Sequence, residues 1–503
     1  MSTFNSKNQD YLGLPFDNAN FNISFSSEKE NPWEVAIKSV NEWLARWDEI
    51  KKGGDKDFKA VIKDDEEYSL SVDAAYRKRT DGYNTQYATR PTRSINTIKG
   101  YMENTAELDK IDEYGGLMDE AMKQEATGFF YVKKIGDRWW NIDPLGYPMF
   151  KVGINSVQMG KEKDKHLARY GNTQGWAQAT TTRLRELGFN SFGGWCPITN
   201  FISNDNALAQ TQIFTIMGYY IRQNISEGIA DLIHPSFDPQ FAVYADKEIA
   251  NAVQEYVNSP KIYGWISDNE LRVSEKLLEN SLTLDPKDPS AVYTYATAWT
   301  FMYLKTGKAD VSLADVTEEL SLEYRAMSFD KYFSIVASLT KKHDPNHMYM
   351  GCRFHGSGLT DESLFRVAGY WCDVITYNYY SSWTANFELV ANQARWSGKP
   401  FVVTEFYAKG MDEWEKDNTM INKDGAGWTV RTQADRGKFY QNFALSLLEC
   451  GGCVGFDWFK YNNKANSNMG IVDYNAEEYT ELTNQMKEVN TQKYNLIKFF
   501  DAR

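Results

Sequence analysis

The amino-acid sequence predicts an α/β protein built as a closed (β/α)8 TIM barrel, with a mainly helical N-terminal extension. Eight short apolar runs bounded by Gly, Pro and Asn follow one another between residues 149 and 459, and helix-like stretches separate most of them. Short β-branched and aromatic runs are typical of strands buried on both faces. Eight such strands alternating with helices favour a closed barrel over an open sheet.

The composition limits the classes of partner. The 503 residues are 42% hydrophobic and 24% charged, which is typical of a globular protein with a full core. A net charge of −13 excludes a basic nucleic-acid footprint, and no apolar run approaches the ~18 residues of a membrane span. Aromatic residues reach 15%, which indicates a surface or cleft that stacks on a ligand.

The N-terminal extension is assigned to residues 1–127, and the barrel to residues 128–503. The extension is polar, and its apolar residues recur at helical spacing from Trp33 to Ile50, which predicts an amphipathic helix that packs on the main domain. The first residues lack a basic stretch followed by an apolar one, so no signal peptide is predicted.

The barrel begins with a predicted hairpin, Phe129–Val132 and Trp139–Ile142. The predicted strands are Met149–Asn155, Phe189–Trp195, Phe214–Tyr219, Ile262–Ile266, Met348–Phe354, Val374–Tyr379, Phe401–Phe406 and Val454–Phe459. The predicted helices between them include Trp176–Leu187, Phe241–Val257, Phe329–Lys342, Ala385–Trp396 and Ala434–Leu448. Two long connections, 274–316 and 409–429, are either a functional wall or surface insertions. A doubly wound sheet is the alternative, but no GxGxxG motif follows any strand.

In this fold the active site lies at the carboxyl ends of the strands, which gives a set of candidate residues. The set contains two glutamates with amides and aromatic rings: Asn155, Trp195, Asn269, Glu270, His355, Tyr379, Glu405 and Trp458. Two facing carboxyl groups, one protonated and one ionised, are what glycoside hydrolysis needs. A single Glu after a strand is usually solvated or salt-bridged. The joint pattern of Asn269-Glu270, Glu405 and Trp458 therefore carries the prediction.

Asn269-Glu270 on strand four with Glu405 on strand seven resembles the clan A retaining glycoside hydrolases, also called the 4/7 superfamily. More narrowly, the chain from about residue 128 to its end resembles the family 50 β-agarases and their uncharacterised relatives. The matching stretches are 137–146 (DRWWNIDPLG), 152–157 (VGINSV), 237–239 (FDP), 267–271 (SDNEL) and 455–461 (GFDWFKY).

This resemblance implies a retaining β-glycoside hydrolase that cleaves a galactose-containing, agarose-like polysaccharide or its oligosaccharides by double displacement. Glu270 would be the general acid/base and Glu405 the nucleophile, with Asn269 donating to the sugar 2-hydroxyl. Tyr379, or else Tyr377, would orient Glu405, and Trp458 would form the floor under the reacting sugar. The remaining candidates for sugar contacts are His355, Asn155 and Trp195.

Two alternatives stay open: a clan A glycosidase acting on another β-linked glycan (galactofuranoside, mannan or glucan), and a non-hydrolytic glycan-binding barrel. No cofactor or metal is expected, because Asp344-Pro345 interrupts the i,i+4 pair His343/His347, and Cys450-Gly-Gly-Cys453 has no second cysteine pair. The expected partner is a poly- or oligosaccharide. Only that substrate class suggests the periplasm or the exterior, so localisation stays unknown.

Overall fold

The computed structural model describes residues 30–77, 86–103, 110–160, 163–413, 420–464 and 466–503. Their strands are β1 (Leu70–Arg77), β2 (Ala88–Thr92), β3 (Tyr131–Ile135), β4 (Arg138–Ile142), β5 (Pro148–Met149), β6 (Lys151–Ile154), β7 (Ser191–Phe192), β8 (Ala209–Ile213), β9 (Ile262–Ile266), β10 (Asp268–Asn269), β11 (Met348–Tyr349), β12 (Cys352–Phe354), β13 (Ile375–Asn378), β14 (Phe401–Phe406), β15 (Ala408–Gly410), β16 (Gly427–Val430) and β17 (Cys453–Trp458).

The α-helices of the described residues are α1 (Pro32–Lys52), α2 (Lys163–Tyr170), α3 (Thr173–Glu186), α4 (Ile198–Phe201), α5 (Ile216–Asn224), α6 (Pro239–Val253), α7 (Leu277–Leu282), α8 (Val292–Thr306), α9 (Glu318–His343), α10 (Glu362–Trp371), α11 (Phe387–Ser397), α12 (Gln433–Glu449) and α13 (Thr480–Asp501). Short 3-10 turns lie at Asp65–Glu67, Ile95–Thr97, Glu227–Ile229, Pro235–Phe237, Leu313–Asp315 and Gly356–Thr360. None of these helices is long and apolar enough to cross a membrane.

A ten-stranded parallel sheet of half-barrel type forms the centre of the fold, in the order β10-β12-β13-β14-β17-β6-β7-β8-β9-β11. Only Ser267 separates β9 from β10, and only Met350 and Gly351 separate β11 from β12. β9 pairs with β11 while β10 pairs with β12. All strands therefore point their carboxyl ends to one edge of the sheet, where the candidate residues were predicted.

The predicted strands Ile262–Ile266 and Phe401–Phe406 are confirmed with the same bounds. The third predicted strand, Phe214–Tyr219, is wrong: the strand is Ala209–Ile213, and residues from Ile216 onward form α5. The strand carries Gln210 and Thr211, which are buried polar residues, whereas the more apolar run after it is helical. Short apolar runs do not distinguish a strand from a buried helix, and this explains the error.

The predicted N-terminal helix is confirmed as α1. The Asn31 side chain accepts a hydrogen bond from the Trp33 backbone N–H at 3.0 Å, and Pro32 occupies the first turn, so the helix has a well-formed start. Trp33 is buried against Trp299 of α8, with ring centroids 5.6 Å apart. On the same helix, Arg46 pairs with the buried Asp330 of α9 at 2.7 Å.

Besides α1, the described part of the extension contains two strands that the sequence did not predict. β1 and β2 form an antiparallel pair, and β1 also pairs with β16, where Ala74 lies opposite Val430. β16 in turn pairs with β15, which follows β14 in the chain after one residue. In β1 the buried Val72 and Ala74 alternate with the exposed Ser71 and Asp73, so a short period of two was present in the sequence. It spans too few apolar residues to stand out in this polar segment.

The amino-terminal end of the parallel sheet is closed by the predicted hairpin, which the structure confirms as β3 and β4. The Asn141 amide donates to the carbonyl oxygens of Met149 and Val454 at 3.0 and 2.8 Å, and its oxygen accepts from the Tyr263 hydroxyl at 2.6 Å. A small cluster of buried apolar residues packs beneath the sheet here, including Phe130, Met149, Met348, Met350, Val374, Val402 and Val454. The hairpin therefore seals this end.

The two long connections contain secondary structure. The connection 274–316 includes α7 and α8, and α8 packs on α1 of the N-terminal segment. In the described part of 409–429, Gly427 begins β16 in the side sheet with β1, β2 and β15. Both connections leave the sheet at the edge that carries the candidate residues.

Candidate active site

Four strands bring polar side chains together at the carboxyl edge of the sheet. Glu270 directly follows β10, Arg353 lies in β12, Asn378 ends β13 and Glu405 lies near the end of β14. β12, β13 and β14 are neighbours in the sheet, and β10 lies next to β12. The two glutamates, 135 positions apart in the sequence, therefore belong to one group of adjacent strands.

Glu405 is the more deeply buried of the two glutamates, with 5% of its surface exposed. Its Oε1 pairs with the Arg353 guanidinium at 2.7 Å, and its Oε2 accepts a hydrogen bond from the Tyr380 hydroxyl. The Trp195 indole N–H also donates to this carboxyl group. Burial raises the pKa of Glu405 above its ordinary value, the Arg353 charge opposes that rise, and the nearby Glu270 charge adds to it.

Arg353 supplies the positive charge that faces Glu405 from inside the sheet. Its side chain is fully buried, and its Nη2 also donates to the Thr404 carbonyl oxygen at 2.7 Å. Trp195, which hydrogen-bonds the same carboxyl group, is 38% exposed, so Glu405 has a partly exposed side chain as a direct neighbour. Glu405 therefore lies between the buried Arg353 and the partly exposed Trp195.

Glu270 occupies a strained backbone position where the chain leaves β10. Its φ is +52°, a left-handed conformation that costs a residue with a Cβ of order 1–3 kcal/mol. The Glu270 backbone N–H donates to the Arg353 carbonyl oxygen at 3.0 Å, which holds the turn in place. Its side chain is half-buried, and Oε1 accepts from the Asn378 amide at 2.8 Å. Such strain persists where the surroundings fix it, commonly at functional sites.

Asp268, two residues before Glu270, fixes the end of this strand to the neighbouring helix. Its carboxylate accepts from the backbone N–H groups of Met217 and Gly218, at 3.0 and 3.1 Å, and from the Tyr332 hydroxyl at 2.6 Å. The two N–H groups belong to the first turn of α5, where a negative charge is favoured. Burial raises the pKa of Asp268 to about 6, and the three hydrogen bonds oppose that rise.

The tyrosine that contacts Glu405 is Tyr380, and the expectation that Tyr379 or Tyr377 orients the carboxylate is wrong. The Tyr379 hydroxyl accepts instead from the Ser382 hydroxyl and the Asn386 backbone N–H, both at 3.1 Å. Successive residues of an extended chain point to opposite faces. Because Asn378 and Tyr380 share the inner face, Tyr377 and Tyr379 lie on the outer one. This period of two was available in the sequence and would have selected Tyr380.

Trp458 is not a floor for a ligand, which corrects another expectation. It has no exposed surface and packs against Phe406 and Tyr440, with ring centroids 5.5 and 5.7 Å apart. The next residue, Phe459, is half-buried, and its ring lies 6.0 Å from that of Tyr407. Tyr407 is in turn 4.9 Å from Tyr380. Phe459, which sequence reasoning missed, is therefore connected to Tyr380 of this group through the ring of Tyr407.

The remaining candidates differ in their exposure. Asn155 is fully buried, and its amide donates to the carbonyl oxygens of Thr404 and Trp458 at 2.9 and 3.3 Å, so it ties three strands together beneath the site. His355 is half-buried directly after β12, and within the described residues no hydrogen-bond partner reaches its buried Nδ1. Trp195 is exposed beside Glu405. Of these three, His355 and Trp195 could meet a ligand.

Two of the histidines, His343 and His347, form structural contacts with aspartates. His343 contacts Asp246 at 2.7 Å, and His347 contacts Asp344 at 2.6 Å. Across the described part of the chain, no group of three or more His, Cys, Asp or Glu side chains could hold a metal ion. All five cysteines are buried free thiols.

Comparison with known proteins adds independent information. No protein-family model matches the chain. It is 24% identical over 507 residues to β-agarase B of Vibrio sp. (strain JT0107), covering 78% of the chain and 51% of the relative. It is 23% identical over 545 residues to β-agarase A of the same strain, covering 86% and 53%. The chain thus spans about half the length of these curated relatives.

Solved structures also show similarity to agarases. The chain is 29% identical in sequence to the protein in the crystal structure of BpGH50. The two structures superpose with a TM-score of 0.76 over 86% of this chain and 96% of that one. An exo-β-agarase structure, at 20% identity and a TM-score of 0.64, covers 79% and 72% and shows the same fold. The class that these similarities support is the glycoside hydrolases, of the β-agarase type. Within that class, the chain is GH50-like in sequence and fold.

Proposed function

We propose that the chain is a retaining β-glycoside hydrolase that cleaves galactose-containing, agarose-like polysaccharide or its oligosaccharides by double displacement. The observation that carries the proposal is the joining of Glu270 and Glu405 in one hydrogen-bonded group. Asn378 binds the Glu270 carboxylate and also accepts from Thr404, the residue before Glu405. The similarity to β-agarases supports the choice of a galactan substrate.

In the first step Glu405, as the carboxylate, attacks the anomeric carbon. The glycosidic C–O bond breaks, and Glu270 donates its proton to the leaving oxygen. Arg353 and Tyr380 hold the two Glu405 oxygens, so the nucleophile needs little reorientation. Ionisation of Glu405 is essential here, and the Arg353 charge favours the ionised form against burial.

In the second step the Glu270 carboxylate takes a proton from water, and the resulting hydroxide oxygen attacks the anomeric carbon of the glycosyl ester. The ester C–O bond breaks and Glu405 leaves as a carboxylate, while Glu270 regains its proton. The ester carries no charge, so the repulsion between the two carboxylates is absent while the intermediate exists. Two inversions at the anomeric carbon give net retention.

The same proposal includes the finer architecture. We treat β9 with β10 as one strand and β11 with β12 as another, so that ten segments become eight strands and the pairing closes a (β/α)8 barrel. Residues 1–127 are then an extension that packs on a catalytic barrel of residues 128–503. Asn269 would contact the sugar 2-hydroxyl, while Trp195 and His355 would contact neighbouring parts of the substrate.

The proposal is tested by incubating the full chain with agarose, agaro-oligosaccharides, other galactans, mannans and glucans, and identifying products by mass. We expect release of oligosaccharides from agarose, with the β-anomer formed first in NMR spectra. Cleavage of another glycan alone would replace the substrate class. Binding of agaro-oligosaccharides without any turnover would contradict hydrolysis and support a glycan-binding protein.

Azide separates the two carboxylates in the mechanism. In Glu405→Ala, azide should replace the nucleophile and give an α-glycosyl azide. In Glu270→Ala it should attack the intermediate and give the β-glycosyl azide. The same anomer from both variants, or no azide product from either with an activated aryl glycoside, would contradict the assigned roles.

A further inference from the structure

We infer that Asn378 is a positioning residue, which sets the reactive oxygen of Glu270 and the donor atom that Asn269 presents to the sugar. The inference rests on the proposed function for its chemical meaning. Its structural basis is a set of three hydrogen bonds that involve every donor and acceptor of one side-chain amide.

The orientation of the Asn378 amide is fixed from the strand that carries Glu405. Thr404 donates from its hydroxyl to the Asn378 Oδ1 at 2.9 Å, which directs Nδ2 toward β10. The reverse orientation would place Oδ1 against the Glu270 Oε1, and an ionised carboxylate has no hydrogen to offer that oxygen. The hydroxyl of Thr404 and, whenever Glu270 is ionised, the charge of Glu270 therefore favour the same orientation.

Both hydrogens of the Asn378 Nδ2 have acceptors on β10 or directly after it. One reaches the Glu270 Oε1 at 2.8 Å, and the other reaches the Asn269 Oδ1 at 3.3 Å. Asn378 is only 1% exposed, so water does not readily replace these partners. A buried amide that loses its partners is costly, and this holds the arrangement together.

The first consequence concerns the proton of Glu270. Because an N–H group faces Oε1, that oxygen accepts a hydrogen bond whether Glu270 is ionised or protonated. The acidic proton is therefore confined to Oε2, the oxygen that Asn378 does not bind. General acid catalysis needs the proton at one defined position near the leaving oxygen. The hydrogen bond from Asn378 to Oε1 fixes that position on the other oxygen.

The second consequence concerns Asn269. Its Oδ1 is occupied by the Asn378 amide, so its Nδ2 is the group directed away from Asn378. Hydrogen bonds to a sugar hydroxyl from Asn269 are then made by a donor. One amide at the end of β13 thus orients the acid/base and its neighbour together, from a strand position that is more rigid than a loop.

The test compares substrates that need the acid to different degrees. For Asn378→Ala we expect kcat/KM to fall about 100-fold on agaro-oligosaccharides, whose leaving group needs protonation, and 10-fold or less on an activated aryl β-galactoside. Thr404→Val, which removes the orienting hydroxyl, should lower kcat/KM on agaro-oligosaccharides about 10-fold, again with a smaller loss on the aryl β-galactoside. The control is Asn490→Ala, because Asn490 is an equally buried amide bonded to Tyr440 and Leu187, remote from both glutamates.

A second readout needs no substrate. Asn378→Asp places a carboxyl group against Glu270, and two adjacent carboxyl groups resist losing both protons. The melting temperature of this variant should fall, relative to wild type, as pH rises through the range where the second proton is lost. In the double variant Asn378→Asp/Glu270→Gln the fall should shrink, because the repelling partner is gone.

The outcomes separate the two proposals. An equal loss of kcat/KM on both substrates, or a pH-dependent melting difference that the double variant leaves unchanged, would overturn the positioning role while the hydrolase proposal stands. If wild type cleaves no glycan, the hydrolase proposal fails, and the melting experiment still decides whether Asn378 faces Glu270. We expect a larger loss of kcat/KM on agaro-oligosaccharides than on the aryl β-galactoside. We also expect the pH-dependent fall in melting temperature to shrink in the double variant.

Discussion

The two ends of the central sheet are built from the same strands but differ in almost every physical property. At the amino-terminal end, Val402 of β14 packs in an apolar cluster that includes Phe130 from the hairpin. Three residues later on the same strand, Glu405 holds a negative charge against Arg353. One end therefore contributes mainly to stability. The other holds strained backbone and buried charge, which reduce stability and on which the proposed mechanism depends.

The largest expected effect comes from removing the carboxylate of Glu405, the proposed nucleophile. In Glu405→Ala we expect kcat on agaro-oligosaccharides to fall by about 10⁴-fold, because no other group forms the glycosyl ester. Steady-state kinetics with product quantification measures it. The control is Glu388→Ala, an exposed glutamate on α11 that pairs with Arg395. Full activity in Glu405→Ala would assign the chemistry elsewhere.

At the opposite end the expected effect is on stability and not on turnover. Phe130→Ala removes a buried ring from the cluster beneath the sheet and should lower the free energy of unfolding by about 3–5 kcal/mol. Denaturant unfolding measures it, and kcat of the folded variant should stay at the wild-type value. Phe129→Ala, at the half-buried neighbouring position, is the matched control with a smaller loss. A fall in kcat for Phe130→Ala would show that the two ends are not independent.

Asp268 lies at the same end of the sheet as the two glutamates, but its expected effect is on stability. It is a buried charge that supports the site without a role in catalysis. Its folded pKa of about 6 is above the ordinary value of 3.8, so its ionisation destabilises the fold as pH rises from 4 to 7, by about 3 kcal/mol in total. In Asp268→Asn this part of the pH dependence should disappear. Unfolding experiments at several pH values measure the slope of the free energy of unfolding against pH. The control is Asp246→Asn, in which the fall in stability with rising pH should remain, because the pKa of Asp246 is lowered.

The smallest expected effect concerns the indole of Trp195. Trp195→Phe keeps an aromatic ring but removes the N–H that lowers the pKa of Glu405. That pKa should rise further, so the acidic limb of the kcat/KM profile should move upward by a few tenths of a pH unit, in line with the loss of one hydrogen bond of about 0.5 kcal/mol. A profile that does not move would mean that this hydrogen bond does not influence the nucleophile.

Sequence reasoning predicted secondary structure best where a short stretch of the chain carries the whole signal. The strand at Phe401–Phe406 and the helix begun by Asn31-Pro32 follow from local patterning alone. The pairing of β1 with β16 did not, because it joins segments about 350 positions apart and carries no local signal beyond a short alternation.

Within the site, position along a strand was predictable but the direction of each side chain was not. Glu270 and Glu405 were placed at strand ends from the sequence, and the structure brings them together. The roles expected for Tyr379 and Trp458 came from the family resemblance. The tyrosine that contacts Glu405 is the next residue, Tyr380, and Trp458 is buried while the next residue, Phe459, lies beside Tyr407. A shift of one residue reverses the face of an extended chain, so register decides such assignments.

The side sheet has a consequence for how the chain is made. Leu70–Arg77 leaves the ribosome early, but its neighbour in the sheet, Gly427–Val430, is synthesised some 350 residues later. At ~5–20 residues per second this edge waits tens of seconds for its partner. During translation, the backbone N–H and C=O groups of this edge lack their partner strand and can pair with other chains. Circular permutants that bring the two segments closer together should therefore yield more soluble protein than the native order.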